Sequence, residues 1–198
     1  MKIKKLYQIV MKNLKQIRSC RKCNLCKNQA PLLDKKSKAE IFWVGLSAVK
    51  VDNVENETPL SINTNSGKLI AEIENNNNHL KFYKTNLVKC LPLDKDKIRY
   101  PKVNEMECCI KNLQLEINET KPKIIFLLGK LVSDFITKFE NLIFPELDNK
   151  FNYKFINHNN IFYIPIHHPS YILVYKRKFI AKYFDSISKL LNNLILIN

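Results

Sequence analysis

Apolar residues recur along this chain in two rhythms. Ile3, Leu6, Val10, Leu14 and Ile17 stand at helical spacing, which predicts an amphipathic first helix ending at a cysteine cluster. Residues 27–39 are polar and irregular. Four short apolar runs then carry the strand signal. Glu40–Gly45 is the first and closes on glycine, the pattern of a buried parallel strand feeding a loop. The second ends through Phe82, Tyr83, Leu87 and Val88, the third is Lys123–Gly129, and the fourth is Ile161–Ile166. Helical spacing returns between them. A helix is predicted from Ser66, as N-cap, to Ile73, stopped by the Asn-rich 75–79. Another covers 104–118 through Met106, Ile110, Leu113 and Ile117. A third is marked by Leu131, Phe135 and Ile136, and a last runs from Phe179 to Leu194. The segment 46–65 has little periodicity and reads as a long active loop. Strand, loop and helix alternate four times, so the fold class is α/β with a mainly parallel sheet between helices.

Composition narrows this picture. A chain of 198 residues that is 45% hydrophobic, with 11 Phe and 8 Tyr, is a globular domain with a real core. It is expected to form one domain over 1–198, with the N-terminal helix and cysteine cluster of 1–30 packed on it. No stretch approaches the roughly 20 apolar residues of a membrane span. The N-terminus lacks an apolar signal-peptide core, so a cytoplasmic protein without a membrane partner is expected. Thirty-three basic residues against 18 acidic ones leave a formal charge of +15. The Asn runs mark a bias toward Lys and Asn in the whole chain, yet a surplus of this size attracts polyanions whatever its origin.

The candidate chemistry concentrates at strand ends. Cys20-Arg-Lys-Cys23-Asn-Leu-Cys26 lies far upstream of Cys90, Cys108 and Cys109. In a cytoplasmic protein such spacing points to metal or redox chemistry more than to disulfides. Cys20 and Cys23 form a firm pair, and Cys90 with either Cys108 or Cys109 completes four thiolates. Zinc and an iron–sulfur cluster both suit that set. Asn86 ends the second strand, where ligands gather on open α/β sheets, and its amide has the donors and acceptor to read a nucleobase edge. His168 follows the fourth strand and precedes Pro169, which holds it extended.

These elements, taken in order, resemble a known family. Cys20-x-x-Cys23-x-Leu25, Trp43-Val44-Gly45, Ser66-Gly67-Lys68-Leu69, Thr85-Asn86-x-x-Lys89-Cys90-x-Pro92, Pro101, Glu105-x-x-x-Cys109, Pro122 through Gly129 and His168-Pro169-Ser170 are similar to the iron–sulfur, family 4 type of uracil-DNA glycosylase. The likeness covers roughly residues 17–190. It implies a three-layer α/β/α sandwich around a four-stranded sheet, and a monomer whose partner is DNA carrying uracil or another deaminated base. It implies a [4Fe–4S] cluster on Cys20, Cys23, Cys90 and Cys109, with Asn86 reading the flipped base beside Gly45, Leu46 and Leu60. His168 would stabilise the leaving base, and Ser66, Ser170, Lys176 and Arg177 are the candidate DNA contacts. Two positions depart from the pattern. The family carries Gly-Glu after the first strand where this chain has Gly45-Leu46, and Pro-Phe where it has Pro59-Leu60. Asp52, with Glu55 and Glu57 in the same loop, is the candidate substitute carboxylate. The alternatives are a glycosylase of altered base specificity and a non-catalytic, cluster-bearing nucleic-acid-binding protein.

Overall fold

The computed structural model describes residues 14–35 and 38–196. Most of the expected first helix falls on 1–13, outside the described residues; 14–18 are helical and Ile17 is buried. The apolar runs form strands β1 (Ile41–Ser47), β2 (Phe82–Val88), β5 (Ile124–Leu128) and β7 (Ile161–Ile166). Between β2 and β5 lies a two-stranded hairpin of β3 (Leu93–Asp94) and β4 (Lys97–Ile98). The main sheet has the order β2-β1-β5-β7-β6, all parallel except β6 (Ile156–His158), which pairs antiparallel with β7. The sheet is therefore five-stranded where four strands were expected. The extra strand is three residues long and edge-placed, too short to show a period.

The helices are α1 (Asn65–Asn76), α2 (Val103–Thr120), α3 (Lys130–Glu140), α4 (Pro169–Tyr175) and α5 (Ile180–Leu196). Thr64, and not Ser66, caps α1: its hydroxyl accepts from the Gly67 N–H at 3.0 Å. Both are good capping residues, and the helix starts one residue before Ser66. Alternation along the strands sends side chains into two cores. Ile41, Trp43, Phe126 and Ile164 face α1, α4 and α5, whereas Phe42, Val44, Ile125 and Leu127 face α2 and α3. The result is the three-layer arrangement that buried parallel strands require. Trp43 Nε1 donates to Glu74 of α1 at 3.1 Å, and Glu74 pairs with Lys84 of β2 at 3.0 Å, tying that helix to the sheet. Among the described residues no helix is long and apolar enough to cross a membrane.

Candidate active site

A cavity of about 1070 Å³ opens where β1, β2, β5 and β7 end. Its wall is mostly apolar, from Leu46, Leu60, Leu128 and Tyr171 among others, with a few polar groups set into it. Asn86, from the end of β2, is one of these and is only 4% exposed. Its side-chain amide has no hydrogen-bond partner among the described residues. Gly45, paired with Asn86 across the β1–β2 ladder, does not line the cavity but makes this possible: a Cβ there would collide with Asn86 Oδ1.

His168 enters from the end of β7. Pro169 does not stop a helix here; it starts α4 at the first position, where its missing N–H costs nothing. His168 is the cap, with φ −63° and ψ 137°. The Ser170 N–H donates to His168 Nδ1 at 3.1 Å, and the Ser170 hydroxyl lies 2.7 Å from the same nitrogen. An accepting Nδ1 carries no proton, so in the neutral ring the proton sits on Nε2. Burial lowers the His168 pKa, which favours that neutral form. Gly129 holds φ at +89°, and a Cβ there would stand 3.2 Å from the His168 Cβ. Its neighbour His167 is buried, with Nδ1 2.9 Å from the Tyr153 hydroxyl and its ring stacked on Tyr171.

Leu46 and Leu60 line the same cavity. Leu60 holds φ at +51°, in the left-handed region, and the turn it forms presses its backbone onto Gly67 of α1. Ser66 and Ser170 lie on the wall. Lys176 and Arg177 stand just beyond α4, outside the lining, the first half-buried and the second exposed. Asp52 is not brought to this site. It is exposed and borders a separate depression with Lys50 and Asp96. Glu55 pairs with Arg18 at 2.9 Å, and Glu57 accepts from the Asn63 amide at 2.9 Å. Among the described residues no carboxylate lines the cavity.

Two residues at the site, Arg99 and Lys89, were given no role from the sequence, although Lys89 stands in the Asn86-x-x-Lys89-Cys90 motif. Arg99 reaches the cavity while its guanidinium grips Glu105 through two bonds of 2.6 and 2.8 Å, holding that carboxyl below its usual pKa. Lys89 is fully buried behind Asn86. The signal for it was a lone lysine inside the apolar run Leu87-Val88-Lys89-Cys90-Leu91, where a solvated side chain has no exit.

On the other face of the sheet all six cysteines border one small recess, with Val88 and Asn112. Cys90 and Cys109 are buried and the other four half-buried, and all are free thiols. The N-terminal segment is held there by the Leu32 N–H donating to the Lys89 carbonyl at 2.8 Å, and by the Asn28 amide on the Leu91 carbonyl at 2.9 Å. Cys109 Sγ accepts from the Lys89 N–H at 3.3 Å and from Asn112 Nδ2 at 3.8 Å. Burial, followed by the neighbouring thiols, pushes Cys90 up to about 12, and burial raises Cys23 and Cys109 as well. Among the described residues no three ligating side chains converge as they would on a single ion.

Two comparisons bear on these sites. A curated type-4 uracil-DNA glycosylase of Saccharolobus solfataricus is 29% identical over 165 residues, 78% of this chain and 73% of that protein. One of Archaeoglobus fulgidus is 30% identical over 139 residues, 68% of this chain and 66% of that protein. The family model for the uracil DNA glycosylase superfamily matches residues 27–194, which takes in the sheet, the cavity and three of the six cysteines. The chain belongs to the uracil-DNA glycosylase superfamily.

Proposed function

We propose that the protein excises uracil, or a related deaminated base, from DNA by hydrolysing the N-glycosidic bond after the nucleotide is flipped out of the stack. The observation that carries this is the pairing of Asn86 and His168 in one cavity: an unengaged buried amide able to read a base edge, and an imidazole whose tautomer is fixed as an Nε2–H donor. The names of the two similar proteins support the same substrate. The protein acts as a monomer, and its basic surface supplies sequence-independent affinity for DNA.

The chemistry these residues offer is electrostatic. As the glycosidic bond breaks, its electron pair leaves with the base, spread over N1 and the exocyclic carbonyl oxygens, and the sugar develops oxocarbenium character. The His168 N–H meets a charge that exists mainly in the transition state, so it lowers the barrier more than it tightens substrate binding. Leu46 accepts no proton, and no carboxylate replaces it within the described lining. Loss of a general base costs about 10²–10⁴-fold, which leaves catalysis slower but present. The apolar wall keeps bulk water from the base and strengthens each of these dipoles, while a single water adds to C1′ of the sugar and gives up its proton to the departing base or to solvent.

The cysteine site fits a [4Fe–4S] cluster on Cys20, Cys23, Cys90 and Cys109. The donor set is all sulfur, and the N-terminal segment brings Cys20 and Cys23 to the same place as Cys90 and Cys109. When bound, the cluster cross-links the N-terminal segment to the chain after β2.

Excision assays on oligonucleotides carrying uracil, hypoxanthine or xanthine, in single strands and opposite each base, test the reading. Release of uracil supports it. Release only of another base would place the protein among glycosylases of altered specificity. No release from any substrate, with DNA binding intact, would make it a non-catalytic binding protein, the reading that the Leu46 position favours.

A further inference from the structure

Among the described residues no charged side chain is more deeply buried than Lys89. Its ammonium has three N–H donors and three partners: Thr85 Oγ1 at 2.6 Å, the Asn86 carbonyl at 2.6 Å, and the Glu116 carboxylate. Glu116, 2% exposed, is filled in turn by the Tyr83 hydroxyl at 3.0 Å and the Thr85 hydroxyl at 2.9 Å. The other end of Lys89 is equally fixed. Its N–H donates to Cys109 Sγ and its carbonyl accepts from Leu32. One residue thus joins the cysteine site to the backbone of Asn86. A buried ion pair is a poor source of stability, since apolar replacements of similar volume are often neutral or better. What this pair supplies is geometry.

We propose that Lys89 is a positioning residue for base selection: anchored beside Cys109, it clamps the Asn86 carbonyl so that the side-chain amide meets the base in one orientation. Gly45 completes the arrangement by leaving room for Asn86 Oδ1 on the opposite side. The inference rests on the glycosylase reading for its kinetic test and on the hydrogen-bond geometry alone for its structural one.

The test uses the cluster-loaded protein and two variants. Lys89→Met with Glu116→Gln removes the clamp while leaving no charge unpaired, and the glutamine still serves Tyr83 and Thr85. Glu116→Gln alone keeps the Lys89 bond to the Asn86 carbonyl but removes its counter-charge, so it melts lower with the grip still in place, and Glu116 itself touches neither Asn86 nor the cavity. The double variant should keep its iron and its affinity for undamaged DNA, yet lose about 10²-fold in uracil excision, the cost of a small misplacement at a reacting centre. Its preference for uracil over other bases should narrow. Glu116→Gln should stay within a few-fold of wild type on both measures. Wild-type selectivity in the double variant would overturn the proposal, as would losses in both variants that track melting temperature. If the wild type releases no base, the glycosylase reading fails separately and hydrogen exchange decides this one. The amides of Asn86 to Val88 should then exchange faster in the double variant than in Glu116→Gln, and equal rates would overturn the clamp.

Discussion

A histidine that donates to a leaving base must present a proton at one particular nitrogen, and His168 has that choice made for it by its own helix. The Ser170 N–H occupies Nδ1, so rotation of the ring or protonation of Nδ1 breaks a cap. His168→Ala should therefore cost roughly 10²–10³-fold in single-turnover excision, or about 3–4 kcal/mol, with DNA affinity nearly unchanged. Wild-type turnover in that variant would remove His168 from the mechanism. The same environment makes a stability prediction. Burial lowers both His167 and His168 below the ordinary 6.5, with Lys176 adding to the effect at His167. The unfolded chain then binds more protons than the folded one between the lowered values and 6.5. Their contribution is complete above about pH 6.5 and is lost as pH falls through the folded values. Urea midpoints measured from pH 7.5 to 5 should fall more steeply for the wild type than for a His167→Phe/His168→Ala protein. Parallel slopes would place the acid sensitivity elsewhere.

The cavity depends on how α1 is entered. Leu60 adopts a left-handed turn, and the carbonyls of Leu60 and Ser61 fold so closely over the first turn of α1 that Gly67 has no room for a Cβ. Gly67→Ala should push the Pro59–Leu60 wall outward, costing about 1–3 kcal/mol by overpacking and raising KM for damaged DNA more than it lowers kcat. Unchanged urea midpoints and KM would show that the turn relaxes freely. This element also shows what a sequence can disclose. Three of the four parallel strands were legible as continuous apolar runs, as strands buried on both faces must be, and β2 was read from the aromatic and apolar residues at its two ends, around Lys84, Thr85 and Asn86. Asn86 was legible because it lies near the C-terminal end of β2 and His168 because it follows the β7 run, both where the sheet gathers ligands. β6 and the β3–β4 hairpin were not, since two or three residues carry no period. Nor was α4, whose Pro169 reads as a break but serves as a first helical position. Asp52 shares a loop with Pro59 and Leu60, yet an aperiodic loop does not declare which way its side chains turn, and Asp52 borders a different depression. The clamp at Lys89 was hidden because its partners, Thr85, Glu116 and Cys109, are assembled only when β2 meets α2.

At the scale of the whole molecule two features act together: the proposed cluster, which would hold the N-terminal segment to the sheet, and a large positive charge. Purified anaerobically, the protein should carry close to four irons and four sulfides per chain. Cys90→Ser and Cys109→Ser should lose them, while Cys26→Ser and Cys108→Ser retain them. One zinc and no sulfide would overturn that assignment. The charge of +15 predicts how the loaded protein meets DNA. Not every basic residue near the cavity is available, for Arg99 is already neutralised by Glu105. Lys176 and Arg177, beside the cavity mouth, have no carboxylate partner among the described residues, so they remain free to neutralise phosphates. Each phosphate so neutralised releases condensed counterions, contributing about −0.9 to the slope of log K against log salt on duplex and about −0.7 on a single strand. The wild type should therefore bind undamaged DNA with a steep, nearly sequence-blind salt dependence. Lys176→Ala/Arg177→Ala should flatten the duplex slope by about 1.8, the sum of two such contacts, and weaken all sequences alike. Base selection should not move, because it is set deeper, at Asn86. Titrations at several salt concentrations measure the slope directly. A wild-type affinity indifferent to salt would remove nucleic acid as the partner, and an unchanged slope in the double variant would move the phosphate track away from the end of α4.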